Sequence, residues 1–183
     1  LTRSSGRIGR LRRLSVTTLI RNYRAECQQL RGSIDLLAGG PPCQGFSSAG
    51  RRSASDPRNQ LVANYLQLVA LIQPRFVLLE NVRGISIPFG NNDSEPINYA
   101  DNICSALGKD YEAYHRLLDV STFGVPQKRT RYFIVAVRKD KNQLDRTDPF
   151  ESLERLRPAF LRSKGLSSSV PARSAISDLE VSR

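Results

Sequence analysis

Two short apolar runs constrain the fold of this chain more than any other feature. They are "IDLLAGG" at 34–40 and "RFVLLENV" at 75–82, and a helix-length segment separates them. Short runs of this kind, closed by glycines or by polar residues, suit buried strands of a parallel sheet. The segment between them, "NQLVANYLQLVALIQP", places Leu61, Tyr65, Leu68, Val69 and Ile72 at helical spacing and closes on Pro74. Further on, "YADNICSALGK" reads as a helix. "YEAYHRLLDV" and "RTRYFIVAVRK" read as strands, separated by "STFGVPQK". "IPFGNNDSEPIN" is loop-like in its Gly, Asn, Asp and Pro content. The order β, α, β, α, β, β predicts an α/β fold with a mostly parallel, doubly wound sheet and an irregular edge. Strands are expected near 34–38, 76–80, 112–118 and 131–138.

The first strand runs into "GGPPCQGFSS", residues 39–48. Pro41 and Pro42 fix their own φ angles and push the residue before each away from helix. Gly39, Gly40 and Gly45 allow close approaches closed to other residues. Cys43 is therefore set at a defined point on a bent loop. The commonest role of a lone cysteine is packing, which needs none of this local chemistry. Cys43 and Glu80 each follow the carboxyl end of an expected strand, where ligands of open α/β sheets sit. Their separation of 37 residues fits one β-loop-α-β crossover. If the two strands are neighbours, a thiol and a carboxylate share one cleft.

Composition narrows the partners. Lys and Arg number 28 against 17 Asp and Glu, a formal charge of +11. Such an excess favours a polyanion through phosphate contacts and counterion release. A solvated basic surface is the plainer alternative. Cys27, Cys43 and Cys104 do not stand at metal-ligand spacing and His115 is the sole histidine, so no metal site is expected. No apolar run has the length of a membrane span, and the basic N-terminus lacks the apolar stretch of a signal peptide. A cytoplasmic location with reduced thiols is the expectation. Residues 1–33 read as an irregular basic segment in which only 19–30 resembles a helix. Residues 34–140 read as the core, and 141–183 as a linker-like tail.

A cysteine, a glutamate and arginines in one pocket of a nucleic-acid binder suit covalent chemistry on a base flipped out of its duplex. Each residue also has a plainer use. Glu80 could cap the turn after its strand, Asn81 could form a turn, and Arg129 and Arg131 could face solvent from a strand.

Taken together, "GGPPCQGFSSAGRR", "FVLLENVRGI" and "FGVPQKRTRYFIVAVR" resemble, in order, the Pro-Cys-Gln, Glu-Asn-Val and Gln-x-Arg-x-Arg motifs of the cytosine-C5 DNA methyltransferases. "DPRNQL" is similar to that family's Asp-x-Arg segment, and "SVPARSAISDL" resembles the stretch leading towards its target-recognition region. The resemblance implies a partial Rossmann-like methyltransferase fold and S-adenosylmethionine as cofactor. It also implies transfer of a methyl group to C5 of a flipped cytosine in double-stranded DNA, within a restriction-modification setting. It puts Cys43 at the nucleophile that attacks C6 and Glu80 at the carboxyl that engages N3 and the exocyclic amine. It puts Arg131 at the base's O2 with Arg129 beside it, Asn81 at the anchor of the cysteine loop, and Pro42 and Leu61 against the cofactor. Burial of Glu80 would help it to donate a proton.

The family's Phe-x-Gly-x-Gly loop, its acidic ribose-binding residue and its last two motifs have no counterpart in these residues. The expectation is therefore a central catalytic portion, completed by further segments or by a complementing chain. Without the early strands, the 34–38 strand should lie open along one edge unless residues 1–33 cover it. A catalytically silent nucleic-acid-binding remnant and an RNA cytosine-C5 methyltransferase are the alternatives.

Overall fold

A computed structural model describes residues 14–42, 60–88, 98–139, 147–166 and 169–179. Among these residues four strands form one sheet: β1 (Leu36–Gly39), β2 (Phe76–Asn81), β3 (Tyr111–Asp119) and β4 (Thr130–Arg138). The described residues also form six α-helices: α1 (Val16–Asn22), α2 (Arg24–Gln29), α3 (Gln60–Ile72), α4 (Tyr99–Leu107), α5 (Pro149–Ser163) and α6 (Ala172–Ala175). All four strands lie where the sequence predicts them, within two residues at each end.

The sheet order is β1-β2-β4-β3. Only β1 and β2 pair in parallel, Leu36 opposite Phe76 through Gly39 opposite Leu79. β4 is antiparallel to both β2 and β3. The expectation of a mostly parallel sheet is thus corrected, and the reason is topological. β1, β2 and β3 do run in one direction, as strands linked by helices must. The segment joining β3 to β4 holds only a 3-10 turn, Val120–Phe123, and is too short for a parallel crossover. β4 therefore turns back and inserts between β2 and β3, which makes both of its pairings antiparallel.

Alternation along β2 buries Val77, Leu79 and Asn81, and along β4 buries Tyr132, Ile134 and Ala136. Val62, Tyr65 and Val69 of α3 and Ala100, Ile103 and Leu107 of α4 join them in one core. Val77, Leu79 and Ile134 are wholly inaccessible, each contributing about 1.5–3 kcal/mol.

In the segment read as irregular, the helical stretch expected at 19–30 is two short helices, α1 and α2, that begin at Val16; residues 1–13 lie outside the described residues. Ser15 caps α1 by accepting from the Thr18 backbone N–H at 3.0 Å. Ile20 and Cys27 are buried against Leu68, Leu71 and Ile72 of α3. Asn64 donates to Thr17 Oγ1 at 2.8 Å across the same contact. Helices of seven and six residues are too short to hold by local propensity, so packing on α3 sustains them. Among the described strands β1 ends the sheet, in line with the open edge expected at 34–38, and Leu36 is 52 % exposed. No helix among the described residues is long and apolar enough to cross a membrane, and no His, Cys, Asp and Glu cluster among them suits a metal.

Candidate active site

The site is built where β1 and β2 finish and β4 begins. Tyr65 of α3 holds the two parallel strands together from below: its hydroxyl lies 3.0 Å from the carbonyl oxygens of both Leu37 and Leu78. Burial, and then Tyr111, push the pKa of this phenol upward, so it remains a donor. Its ring occupies the space that a side chain at residue 39 would need, which explains glycine there. A Cβ on Gly40 would lie 3.2 Å from Glu80 Oε2 and 3.5 Å from the Glu80 carbonyl oxygen. The carboxylate thus rests on the bare backbone of the residue where the chain leaves β1, three positions before Cys43.

Glu80 Oε1 accepts from Arg131 Nε at 2.8 Å, with side chains 41 % and 16 % exposed respectively. This pair joins the end of β2 to the start of β4. The register places Glu80 opposite Phe133, two residues beyond Arg131. Arg131 Nη1 also donates to the Thr130 carbonyl at 2.8 Å, which sets the plane of the guanidinium. Glu80 does not meet the condition of burial set out from sequence. It is a partly accessible carboxylate held by a cation and so available to a ligand.

Asn81, only 3 % exposed, donates from Nδ2 to the Pro41 carbonyl at 3.1 Å and accepts from the Val82 N–H at 2.9 Å. Its side chain ties the start of the proline-containing loop to β2. Arg129 is not gathered into this group. It lies exposed before β4, and its carbonyl accepts from the Val120 N–H at 2.9 Å. Pro42 is exposed three residues beyond β1, and Leu61 is half-buried in the first turn of α3. Cys43 and the "DPR" of residues 56–58 lie outside the described residues. Asp119, at the turn from β3, is held below its ordinary pKa mainly by the Ser121 hydroxyl and N–H that it accepts from.

Sequence reasoning missed Tyr65 as a two-strand clamp, because its helical spacing marks it only as a core residue. It also missed the contact between Glu80 and Gly40. The doubled glycine before the prolines was the available signal, and its cause needed the neighbouring strand. An open pocket of about 400 Å³, lined by Cys104, Gly108, Tyr111, Glu112, Ala113 and Lys139, lies at the opposite end of the sheet and is separate from this group.

A family model of C-5 cytosine-specific DNA methylases matches residues 16–179. The chain belongs to this family. It is 40 % identical over 139 residues to the Type II methyltransferase M.AquIA of Picosynechococcus, covering 69 % of this chain and 52 % of that protein. It is 35 % identical over 109 residues to the Type II methyltransferase M.XorII of Xanthomonas oryzae, covering 58 % and 24 %. The chain therefore spans between about a quarter and about half the length of these relatives. Among solved structures, it is similar to a candidate DNA modification methyltransferase encoded within an E. coli prophage. That match has a TM-score of 0.50 and 32 % identity, over 74 % of this chain and 34 % of the other. The S. pombe Dnmt2 methyltransferase shares the fold, with a TM-score of 0.50 at 22 % identity over 77 % and 39 %.

Proposed function

We propose that this C5-methylase family member is the central catalytic part of a DNA (cytosine-5-)-methyltransferase acting through a covalent cysteine adduct. The observation that carries the reading is the Glu80–Arg131 pair seated on Gly40, with Asn81 holding Pro41 two residues before Cys43. A carboxylate and a guanidinium side by side match the N3 and exocyclic amine, and the O2, of a flipped cytosine.

The chemistry follows from the weakness of C5 as a nucleophile. The Cys43 thiolate would add to C6, forming a C–S bond and pushing the C5–C6 π electrons into the ring. Glu80, in its protonated form, would pass its proton to N3 as the electron pair collects there, while its other oxygen accepts from the exocyclic amine. Arg131 would hold O2, and the resulting enamine is nucleophilic at C5. After C5 has been methylated, loss of its proton to a base returns the electron pair, and the C–S bond breaks. Pro42 and Leu61 offer uncharged apolar surface at the two ends of the β1–α3 connection, which fits one edge of S-adenosylmethionine. That cofactor, when bound, supplies the electrophilic methyl group.

The deciding experiment supplies the chain with the cofactor-binding and target-recognition segments of a related methyltransferase, fused or as separate chains. The complex is then given S-adenosylmethionine and DNA carrying 5-fluorocytosine at the recognised site. Fluorine cannot leave C5 as a cation, so a Cys43 adduct that survives denaturation is expected. Methylation of ordinary cytosine without any adduct would overturn the covalent mechanism. DNA binding with no methylation would favour the silent remnant.

A further inference from the structure

The last half of α5 and the loop before β4 carry positive charge that the proposed chemistry does not use. Residues 120–139 contain no Asp or Glu, and the chain has none between Glu154 and Asp178. These two acid-free stretches meet in space. A Cβ on Gly124, which has φ of +84°, would lie 2.5 Å from Leu166 Cδ1 and 3.3 Å from Leu161 Cδ2. Arg157 sits 5.6 Å over the Phe123 ring and 3.4 Å from Thr122 Oγ1. The end of α5 is thereby packed on the loop that leads into Arg129 and Arg131.

α5 is polarised along its length. Glu151 and Glu154 occupy its first half, where Glu154 pairs with Arg157 at 2.7 Å. Arg155, Arg157, Arg162 and then Lys164 follow. Arg155 and Arg162 stand two turns apart on one side. Lys128, Arg129, Arg155, Arg162 and Lys164 are all exposed, and among the described residues none of them forms a close ion pair, although Lys128 faces Asp119 at the start of the loop and helps hold that carboxyl below its ordinary range. Cations at a helix C-terminus gain a few tenths of a kcal/mol from the helix dipole, which is the plainer reason for Arg162 and Lys164. The dipole does not explain why the separate loop packed on that terminus is also free of acids and exposes Lys128 and Arg129.

We propose that Lys128, Arg129, Arg162 and Lys164 form a shelf that takes the phosphate backbone of DNA beside the candidate site. This rests on the DNA methyltransferase reading and adds to it the surface that positions the duplex. Phosphate contacts of this kind position a duplex without reading sequence.

The test is fluorescence anisotropy of a labelled duplex with the full chain at rising NaCl. Arg162→Gln with Lys164→Gln should lower the slope of log affinity against log salt by about 2, at about 0.9 per phosphate. Binding should weaken equally for duplexes of unrelated sequence. The matched pair Arg24→Gln and Arg75→Gln, on α2 and at the opposite end of β2, should leave the slope unchanged. The charge-conserving pair Arg162→Lys and Lys164→Arg should keep the native slope and control for folding. An unchanged slope in the first variant, or an equal fall in the matched control, would overturn the shelf. So would displacement of the duplex by polyglutamate as readily as by unlabelled DNA, which would mark an acidic protein as the partner. These outcomes leave the methyltransferase reading standing, because the 5-fluorocytosine adduct decides it separately. Absence of any DNA binding by the unaltered chain would overturn the shelf, while the adduct experiment on the complemented enzyme would still decide the methyltransferase reading.

Discussion

Glu80 is the residue on which the proposed chemistry turns, and its setting makes the expected effects of substitution specific. Glu80→Gln keeps the shape and the contact with Gly40 but removes the charge that meets Arg131. In the complemented enzyme, turnover should fall on the order of 10²–10³-fold, in the range of a lost acid–base group. Adduct formation should slow with it, and Cys43→Ala should yield no adduct. Single-turnover methylation and gel-resolved trapping measure the two. Asn81→Ala leaves the Pro41 carbonyl without its donor and removes a buried amide, so a loss of about 1–3 kcal/mol is expected in urea unfolding. The identities of these residues were legible from motif order. The support beneath them was not, since the Gly40–Glu80 contact joins residues forty positions apart.

At the scale of elements, the site depends on how the strands are clamped. Gly39→Ala would drive a methyl group into the Tyr65 ring, and overpacking of this kind costs about 1–3 kcal/mol. A lowered melting temperature checks it, and Tyr65→Leu in the same chain should recover part of the loss. β4 carries its own marker. Tyr132 is buried, its hydroxyl lies 2.7 Å from His115 Nδ1, and its pKa is pushed up from 10.0 to about 12, first by burial and then by Cys104 and Asp101. Because the folded-state pKa lies above the unfolded one, the protonated phenol supports the fold fully below pH 10. That support is lost as pH rises through 12, and about 2–3 kcal/mol is at stake. Tyr132→Phe should therefore lose less stability than the native chain between pH 10 and 12 in denaturant titrations. Strand positions were readable from apolar runs, but the place of β4 in the sheet was not, because insertion between β2 and β3 leaves no local trace.

Across the whole molecule, the open side of β1 and the basic surface at the C-terminal end of α5 govern behaviour in solution. Among the described residues β1 has one strand neighbour, and Leu36 is half exposed at the end of the sheet. Edge strands of this kind invite pairing with other chains. The chain is expected to associate with rising concentration, and Leu36→Lys to reduce that association, as measured by sedimentation velocity. Equal sedimentation of both proteins at all concentrations would count against the edge as the contact. Helices α1 and α2 pack on α3, so their burial stabilises the β1–α3 side while β1 stays at the sheet's limit.

The sequence by itself determined the α/β class, the four strand positions, and the ordered motifs that name Cys43, Glu80 and Arg131. Those features depend on local periodicity, turn chemistry and residue identity, which a linear reading contains. Tertiary structure alone decided that β4 lies antiparallel between β2 and β3. It also decided that α1 and α2 dock on α3, and that Tyr65 and Gly40 shape the site. Each of these is a contact between segments distant along the chain. Its free energy comes from surface buried, or from a carbonyl satisfied, only once both segments have met.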